Sequence, residues 1–364
     1  MVSIADAVAG VPGTGRAPSG FWRTAHAYLV VSRTLVALPN TVPFVVGALL
    51  GGLDLRTTAL FTGWALLFYS YSCKVNDLAD YRWDRHNAGR TRSPILKGTV
   101  LPEQVGLWAA FELIALTAAV AAAPLPLSSR TALLGLVVLT TYGNAFQKRS
   151  RVVSPLIMDH LFGLTMALPV IICAALGSVV TTPAILLSTA FGYQMIVLNS
   201  YSGNMKDLEH DLEVGAATTA VRLGVRRIDT RTWRIPAAYR GFLLYAQVTS
   251  TIAVAACLAL SSRPPTLLGA LAVLSAVAAL PALIHRLEAH SAAVATPFTA
   301  GQSDALTRFV SRPPHLVLNA AAFLFAAAHL TGFWPLPLLV AVSLAAPKAV
   351  LLGARHLTSR RKSR

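Results

Sequence analysis

The chain has 364 residues, of which 55% are hydrophobic and 13% charged, and its mean hydropathy of +0.59 excludes a soluble domain of ordinary composition. A net charge of +16, from 31 Lys and Arg against 15 Asp and Glu, would suit a nucleic-acid partner if the cations formed one patch. They do not: they recur in alternate loops between apolar windows, which removes the need for that partner.

Residues 1–25 are rich in Gly, Pro and Ala and lack an apolar core with a cleavage site, so they read as a flexible cytoplasmic tail rather than a signal peptide. About 20 apolar residues carry an α-helix across a bilayer. Such windows fall near 27–51, 57–75, 104–123, 131–147, 154–176, 180–201, 238–259, 266–285, 315–331 and 334–352, those at 131–147 and 315–331 being the shortest. Their length and uniform apolarity point to helices, not to the alternating strands of a membrane barrel. The expected fold is therefore all-α, a polytopic transmembrane helical bundle of about nine to ten spans. It forms a single domain over 26–353, with a basic tail at 354–364.

The cations orient it. Arg82, Arg85, Arg90, Arg92 and Lys97 follow the second window, Lys148, Arg149 and Arg151 the fourth, Arg222, Arg226, Arg227, Arg231 and Arg234 the sixth, and Arg286, Arg308 and Arg312 the eighth. The intervening loops are nearly bare, so these loops and both termini belong in the cytoplasm. Cys73, Cys173 and Cys257 lie in separate apolar segments without metal-like spacing and read as packing residues.

Acidic residues are scarce, yet they crowd into two short stretches. One runs Asn76-Asp77-Leu78-Ala79-Asp80-Tyr81-Arg82-Trp83-Asp84 and the other Lys206-Asp207-Leu208-Glu209-His210-Asp211. On a continuing helix the spacings i, i+3, i+7 and i, i+4 place the Asp carboxylates on one face. Like charges so placed repel. Beside a bilayer, where ionisable groups are costly, they mark a bound cation, and oxygen ligands converging from two segments suit Mg²⁺ bridged to phosphates. Four spans separate the clusters, an even number, so both emerge on the same membrane face and can share one site.

Asn76-Asp77-x-x-Asp80-x-x-x-Asp84 after the second span, with Asp207-x-x-x-Asp211 after the sixth, resembles the UbiA superfamily of intramembrane prenyltransferases. The resemblance runs from about Arg33 to Arg227. It includes Ser32-Arg33-Thr34-Leu35 and Asn40 in the first span, Tyr142 followed by Lys148-Arg149, Asn204-x-x-Asp207, and Thr218-Thr219. One departure stands out: where the family continues with Arg-Pro-Leu/Ile-x-x-Gly, this chain has Arg92-Ser93-Pro94-Ile95-Leu96-Lys97-Gly98, with Ser93 in the place of the Arg.

The resemblance implies an enzyme in which a prenyl diphosphate lies on Mg²⁺, its tail in an apolar cavity. Asp77, Asp80, Asp84, Asp207 and Asp211 would be the metal-binding and catalytic residues, with Asn76 an auxiliary ligand. Arg33, Arg92, Lys97, Lys148 and Lys206 would contact the diphosphate, Asn40 and Tyr142 the substrate. The partners so implied are a prenyl diphosphate, an aromatic or other small acceptor and the lipid bilayer. A terpene cyclase of the same superfamily, which captures the cation with the substrate's own double bond, is the alternative.

Two readings stand for Asp159 and His160, a proton acceptor or an interfacial pair. Glu112, deep in the third span, needs a partner that the sequence does not name. Phe68, Tyr69, Tyr71, Phe146 and Tyr193 are either cation-stabilising rings or packing residues.

Overall fold

A computed structural model describes residues 20–34, 40–85, 93–148, 153–177, 180–205, 207–228, 233–291 and 313–341. In chain order they form α1 (Gly20–Val31), α2 (Val42–Leu50), α3 (Leu55–Asp84), α4 (Pro102–Ala122), α5 (Leu127–Phe146), α6 (Pro155–Gly177) and α7 (Thr182–Leu198). A π-helical turn, Asn199–Asn204, leads to the short helices α8 (Leu208–Glu213) and α9 (Thr219–Arg222). A two-residue antiparallel hairpin follows, β1 (Arg226–Arg227) against β2 (Trp233–Arg234), with Arg226 opposite Arg234. The last helices are α10 (Ala237–Ala259), α11 (Leu267–Ser291) and α12 (Pro314–Thr331).

Among the described residues, α4, α6, α10, the Leu267–Glu288 part of α11 and α12 are each long and apolar enough to cross a membrane. The short window at 315–331 is helix α12. The last window is described only as far as residue 341. Leu107, Phe111, Ile114, Val138, Ile252 and Leu274 stand exposed along mid-helix positions, as side chains do when lipid rather than water is the solvent.

The window at 27–51 is not one continuous span. Helix α1 ends at Val31, Arg33 turns to φ +49, and α2 starts at Val42 with Pro43 in its first turn. Apolarity over 20 residues cannot register this: proline fits the first turn of a helix but lacks the N–H that its interior needs, and a left-handed residue ends a helical ladder. The second window errs the other way. Helix α3 runs 30 residues, well past 75, because nothing between Trp64 and Asp84 breaks it.

Helices α2 to α6 share one core around Phe44, Ala65, Phe68, Leu116, Leu133, Leu136 and Cys173. Helices α7, α10, α11 and α12 pack with parts of α2 and α6 around Val46, Val170, Leu187, Val254, Ala276 and Phe323. Trp64 and Phe68 stack with their ring centres 5.3 Å apart.

The seams between helices rest on glycines, as they do where lipid supplies no drive to associate. A Cβ on Gly47 would sit 2.4 Å from the Val170 carbonyl oxygen, and one on Gly163 would sit 2.8 Å from that of Gly192. Gly47→Ala should therefore force α2 off α6, destabilising the bundle by about 1–3 kcal/mol. A thermal melt in detergent checks this against Gly106→Ala, where a methyl meets open space. Equal melting temperatures for the two variants would remove the seam from the account of stability.

Candidate active site

The last turns of α3 carry the first Asp cluster on one face, since Asp77, Asp80 and Asp84 all lie within the helix. Asp80 and Asp84 are buried, and Asp77 is half-buried. The Asp77 Oδ1 accepts a 2.7 Å hydrogen bond from Arg33 Nη2, so the break after α1 delivers a guanidinium to the first cluster.

The second cluster is reached differently from a continuing helix. The α-helical ladder of α7 widens into the π turn at Asn199–Asn204, and a new helix starts after Asp207. Asp207 occupies the N-cap position of α8, and its carbonyl accepts from the Asp211 N–H at 2.8 Å, so the two carboxylates keep their i, i+4 relation on a short helix of their own. Asp159 of α6 fastens the π turn by accepting from Asn199 Nδ2 at 3.1 Å and Ser200 Oγ at 3.0 Å. The Tyr239 hydroxyl donates to the Ser200 carbonyl from the other side. Asp159, Met158, Asn204, Thr218, Thr219 and Gln147 line a narrow cleft here.

Lys148 joins the clusters. Its Nζ lies 3.7 Å from Asp80 Oδ2 and 3.5 Å from Asp211 Oδ1, and its carbonyl accepts from the Ala217 N–H at 3.1 Å, tying the end of α5 to the loop after α8. The two carboxylate oxygens are thus within about 7 Å of each other, a gap of the size that two metal–oxygen bonds of about 2.1 Å and a bridging group fill.

Asp211 is 1% exposed, and neither of its oxygens makes a hydrogen bond. Burial pushes its carboxyl above the ordinary carboxylate range; Lys148 pulls it back and Asp207 adds to the rise. A buried carboxylate that meets the Lys148 ammonium only at 3.5 Å keeps acceptor capacity for a metal cation. Among the described residues no three acidic, histidine or cysteine side chains are already gathered as a metal cage. The donors are nonetheless hard, anionic oxygens from two facing segments, and they fit Mg²⁺.

The remaining residues named from the sequence fall apart into groups. Asn76 is half-buried on α3 beside Asp77, and Asn40 is half-buried just before α2. Lys97 is exposed in the turn that closes with its N–H on the Ser93 carbonyl at 3.0 Å. Tyr142 stands exposed on α5, its ring centre 5.0 Å from that of Phe146, and has no close approach to the Asp clusters in the contacts described. Arg92 and Lys206 lie outside the described residues.

Asp159 and His160 have separate partners: the His160 Nδ1 lies 2.7 Å from the Leu156 carbonyl oxygen, and its ring packs among Tyr193, Phe242 and Tyr245. Tyr71 bonds Thr141 and Tyr193 bonds Tyr245 through their hydroxyls. Glu112 finds its missing partner in Lys74, at 3.0 Å and fully buried. The sequence offers one signal for that lysine, its place inside the apolar window three residues before Asp77.

An apolar bundle with two facing Asp clusters at one end places the chain among the helical-bundle proteins of the membrane. The pattern of the UbiA prenyltransferase family is matched over residues 37–301, and the chain belongs to that family. It is an integral membrane protein. Over 175 residues it is 25% identical to a 4-hydroxybenzoate octaprenyltransferase of Azotobacter vinelandii, a stretch that spans 48% of this chain and 57% of that relative.

Its fold resembles that of a digeranylgeranylglyceryl phosphate synthase, with a TM-score of 0.61 and 13% identity over 85% of this chain and 99% of the other. A UbiA homolog from Archaeoglobus fulgidus bound to GPP and Mg²⁺ gives a TM-score of 0.60 and 17% identity, covering 84% of this chain and 99% of that one. An apo UbiA homolog from Aeropyrum pernix K1 gives 0.58 and 15%, covering 84% and 98%. At these identities the likeness to the solved structures is one of fold.

Proposed function

We propose that the protein is a Mg²⁺-dependent prenyltransferase that moves an isoprenoid chain from a prenyl diphosphate to a small aromatic acceptor, at a site on the cytoplasmic side of the membrane. The observation that carries this reading is the meeting of Asp80, Lys148 and Asp211, which sets acidic metal donors and a cation at one point between two helix ends. The family and the named octaprenyltransferase relative support the donor class, and that relative's name supports the aromatic acceptor. The alternation of basic loops supports the cytoplasmic side.

In this mechanism Asp77, Asp80, Asp84, Asp207 and Asp211 would hold the metal, with Asn76 beside them. When bound, Mg²⁺ would offset the negative charge that grows on the departing diphosphate. Arg33 and Lys148 donate to diphosphate oxygens, contacts that strengthen as the allylic C–O bond breaks and the leaving group gathers charge. Arg92 and Lys206 take up the same work from the adjoining loops. The apolar core of α2 to α6 receives the tail and excludes water, so that the allylic cation is captured by the acceptor's ring carbon or heteroatom, which then gives up a proton.

The test uses sealed inverted vesicles, whose cytoplasmic face is outward, with a panel of prenyl diphosphates with and without 4-hydroxybenzoate-like acceptors. Prenylated acceptor should form with Mg²⁺, cease with EDTA and return on adding Mg²⁺. Undiminished turnover in chelator would overturn the metal reading, activity confined to right-side-out vesicles would overturn the topology, and product formed without acceptor would assign a cyclase.

Because Ser93 stands where the family has Arg, Arg92 is expected to reach the diphosphate from one position earlier. Arg92→Ala should raise KM for the prenyl diphosphate by about tenfold, the loss of one charge-assisted hydrogen bond. Arg85→Ala, an exposed cation beside Asp84, is the control. Equal KM values for the two variants would leave the diphosphate to other cations.

A further inference from the structure

Lys74 is fully buried, and its ammonium spends all three donors inside the protein: Ser32 Oγ at 2.6 Å, Ser70 Oγ at 2.7 Å and Glu112 Oε1 at 3.0 Å. The same Glu112 oxygen accepts from Ser70 Oγ at 2.7 Å and from the Tyr28 hydroxyl, and the ammonium lies 4.2 Å from the centre of the Tyr28 ring. Tyr28 belongs to the last turn of α1 and Ser32 directly follows that helix, Ser70 and Lys74 belong to α3, and Glu112 to α4. A buried ion pair is seldom a net source of stability, and an apolar pair of like volume serves as well or better. Its worth lies in fixing one geometry.

The geometry fixed is next door. Ser32, held by Lys74, immediately precedes Arg33, whose φ of +49 is one that a residue with a β-carbon adopts only when its surroundings impose it. Lys74 lies on the same face of α3 as Asp77, one turn earlier, and Arg33 meets that Asp77 at 2.7 Å. Apolar packing of Ala27 and Val31 against Ile95, Val100 and Val105 already secures α1 to its neighbours, so the polar network is not needed merely to attach it.

We infer that Lys74 and Glu112 are positioning residues, which through Ser32 and Tyr28 lock the end of α1 in the rotation that aims the Arg33 guanidinium at the diphosphate beside Asp77. This rests on the function proposed above for its substrate, but not for its geometry.

Removing one partner would strand a buried charge, so both are replaced together, Lys74→Met with Glu112→Leu, in the full chain in nanodiscs. KM for the prenyl diphosphate should rise about tenfold with kcat held within about twofold, and the same pair of substitutions should add nothing in an Arg33→Ala background. Independently of turnover, nitroxide labels at Leu29→Cys and Leu107→Cys, both exposed while the native cysteines are buried, should report a broader distance distribution between α1 and α4 in the double variant. Unchanged KM or an unchanged distribution in the folded variant overturns the inference, as does a rise in KM that persists undiminished without Arg33. If the wild-type chain turns over no prenyl diphosphate, the proposed function falls, and the label distances alone decide whether the network holds α1.

Discussion

Asp211→Asn should lower kcat/KM for the prenyl diphosphate roughly thousandfold or more, the scale of loss when charge stabilisation is removed from a developing anion, while the melting temperature stays level or rises. The two effects separate because of how this carboxylate sits. It is buried, makes no hydrogen bond, and faces Lys148 across 3.5 Å with Asp80 on the far side of that lysine. In the folded chain without metal it is a desolvated charge with partial compensation, so neutralising it relieves the fold. In the proposed turnover it would be a metal donor, and an amide in its place keeps the shape but gives up the charge. Kinetics and a thermal melt on the same preparation check both halves. Glu213→Gln, an exposed neighbour, should change neither. A variant that loses activity only in step with its melting temperature would make Asp211 a packing residue.

Lys148→Met should cost about a hundredfold in turnover and lower the melting temperature in EDTA, with Mg²⁺ restoring the temperature but not the rate. Methionine keeps the length of the side chain and removes the ammonium, leaving the Asp80 and Asp211 carboxylates facing each other without the cation between them. Added Mg²⁺ would then relieve the repulsion, and the upward shift of the melt with Mg²⁺ should be larger than in the wild type. The rate should not return, because the proposed donor to the diphosphate is still missing. A melt that Mg²⁺ moves equally in both proteins would mean that Lys148 and the metal do not share the gap.

The sequence made some of this legible and hid the rest, for physical reasons. Asp77, Asp80 and Asp84 could be placed on one face because an unbroken helix obeys a fixed period, and α3 is unbroken across them. Asp207 and Asp211 kept the same relation only locally, since the π turn before them alters the period, and a π turn has no compositional mark of its own. Arg33 was visible as a cation, but not its left-handed backbone, which neighbours impose. Lys74 and Glu112 are 38 residues apart in sequence. Their pairing depends on the rotation of two helices about their axes, a quantity that hydropathy windows average away. Arg92 and Lys206 lie outside the described residues, and the kinetics of their alanine variants test those two roles.

The glycines at the other end of the bundle bear on how α6 is joined to α2. Helix α3 begins there and ends at the Asp cluster, and α6 runs from Pro155 beside that cluster down to Gly177. At Gly177 a Cβ would lie 2.0 Å from the Gly51 carbonyl oxygen, and one on Gly51 would lie 2.7 Å from that of Ala174, so backbone rests on backbone with no side chain between. A methyl at either glycine would have to push α6 off the turn that follows α2, so the spacing at this end of the seam is set by main chain alone.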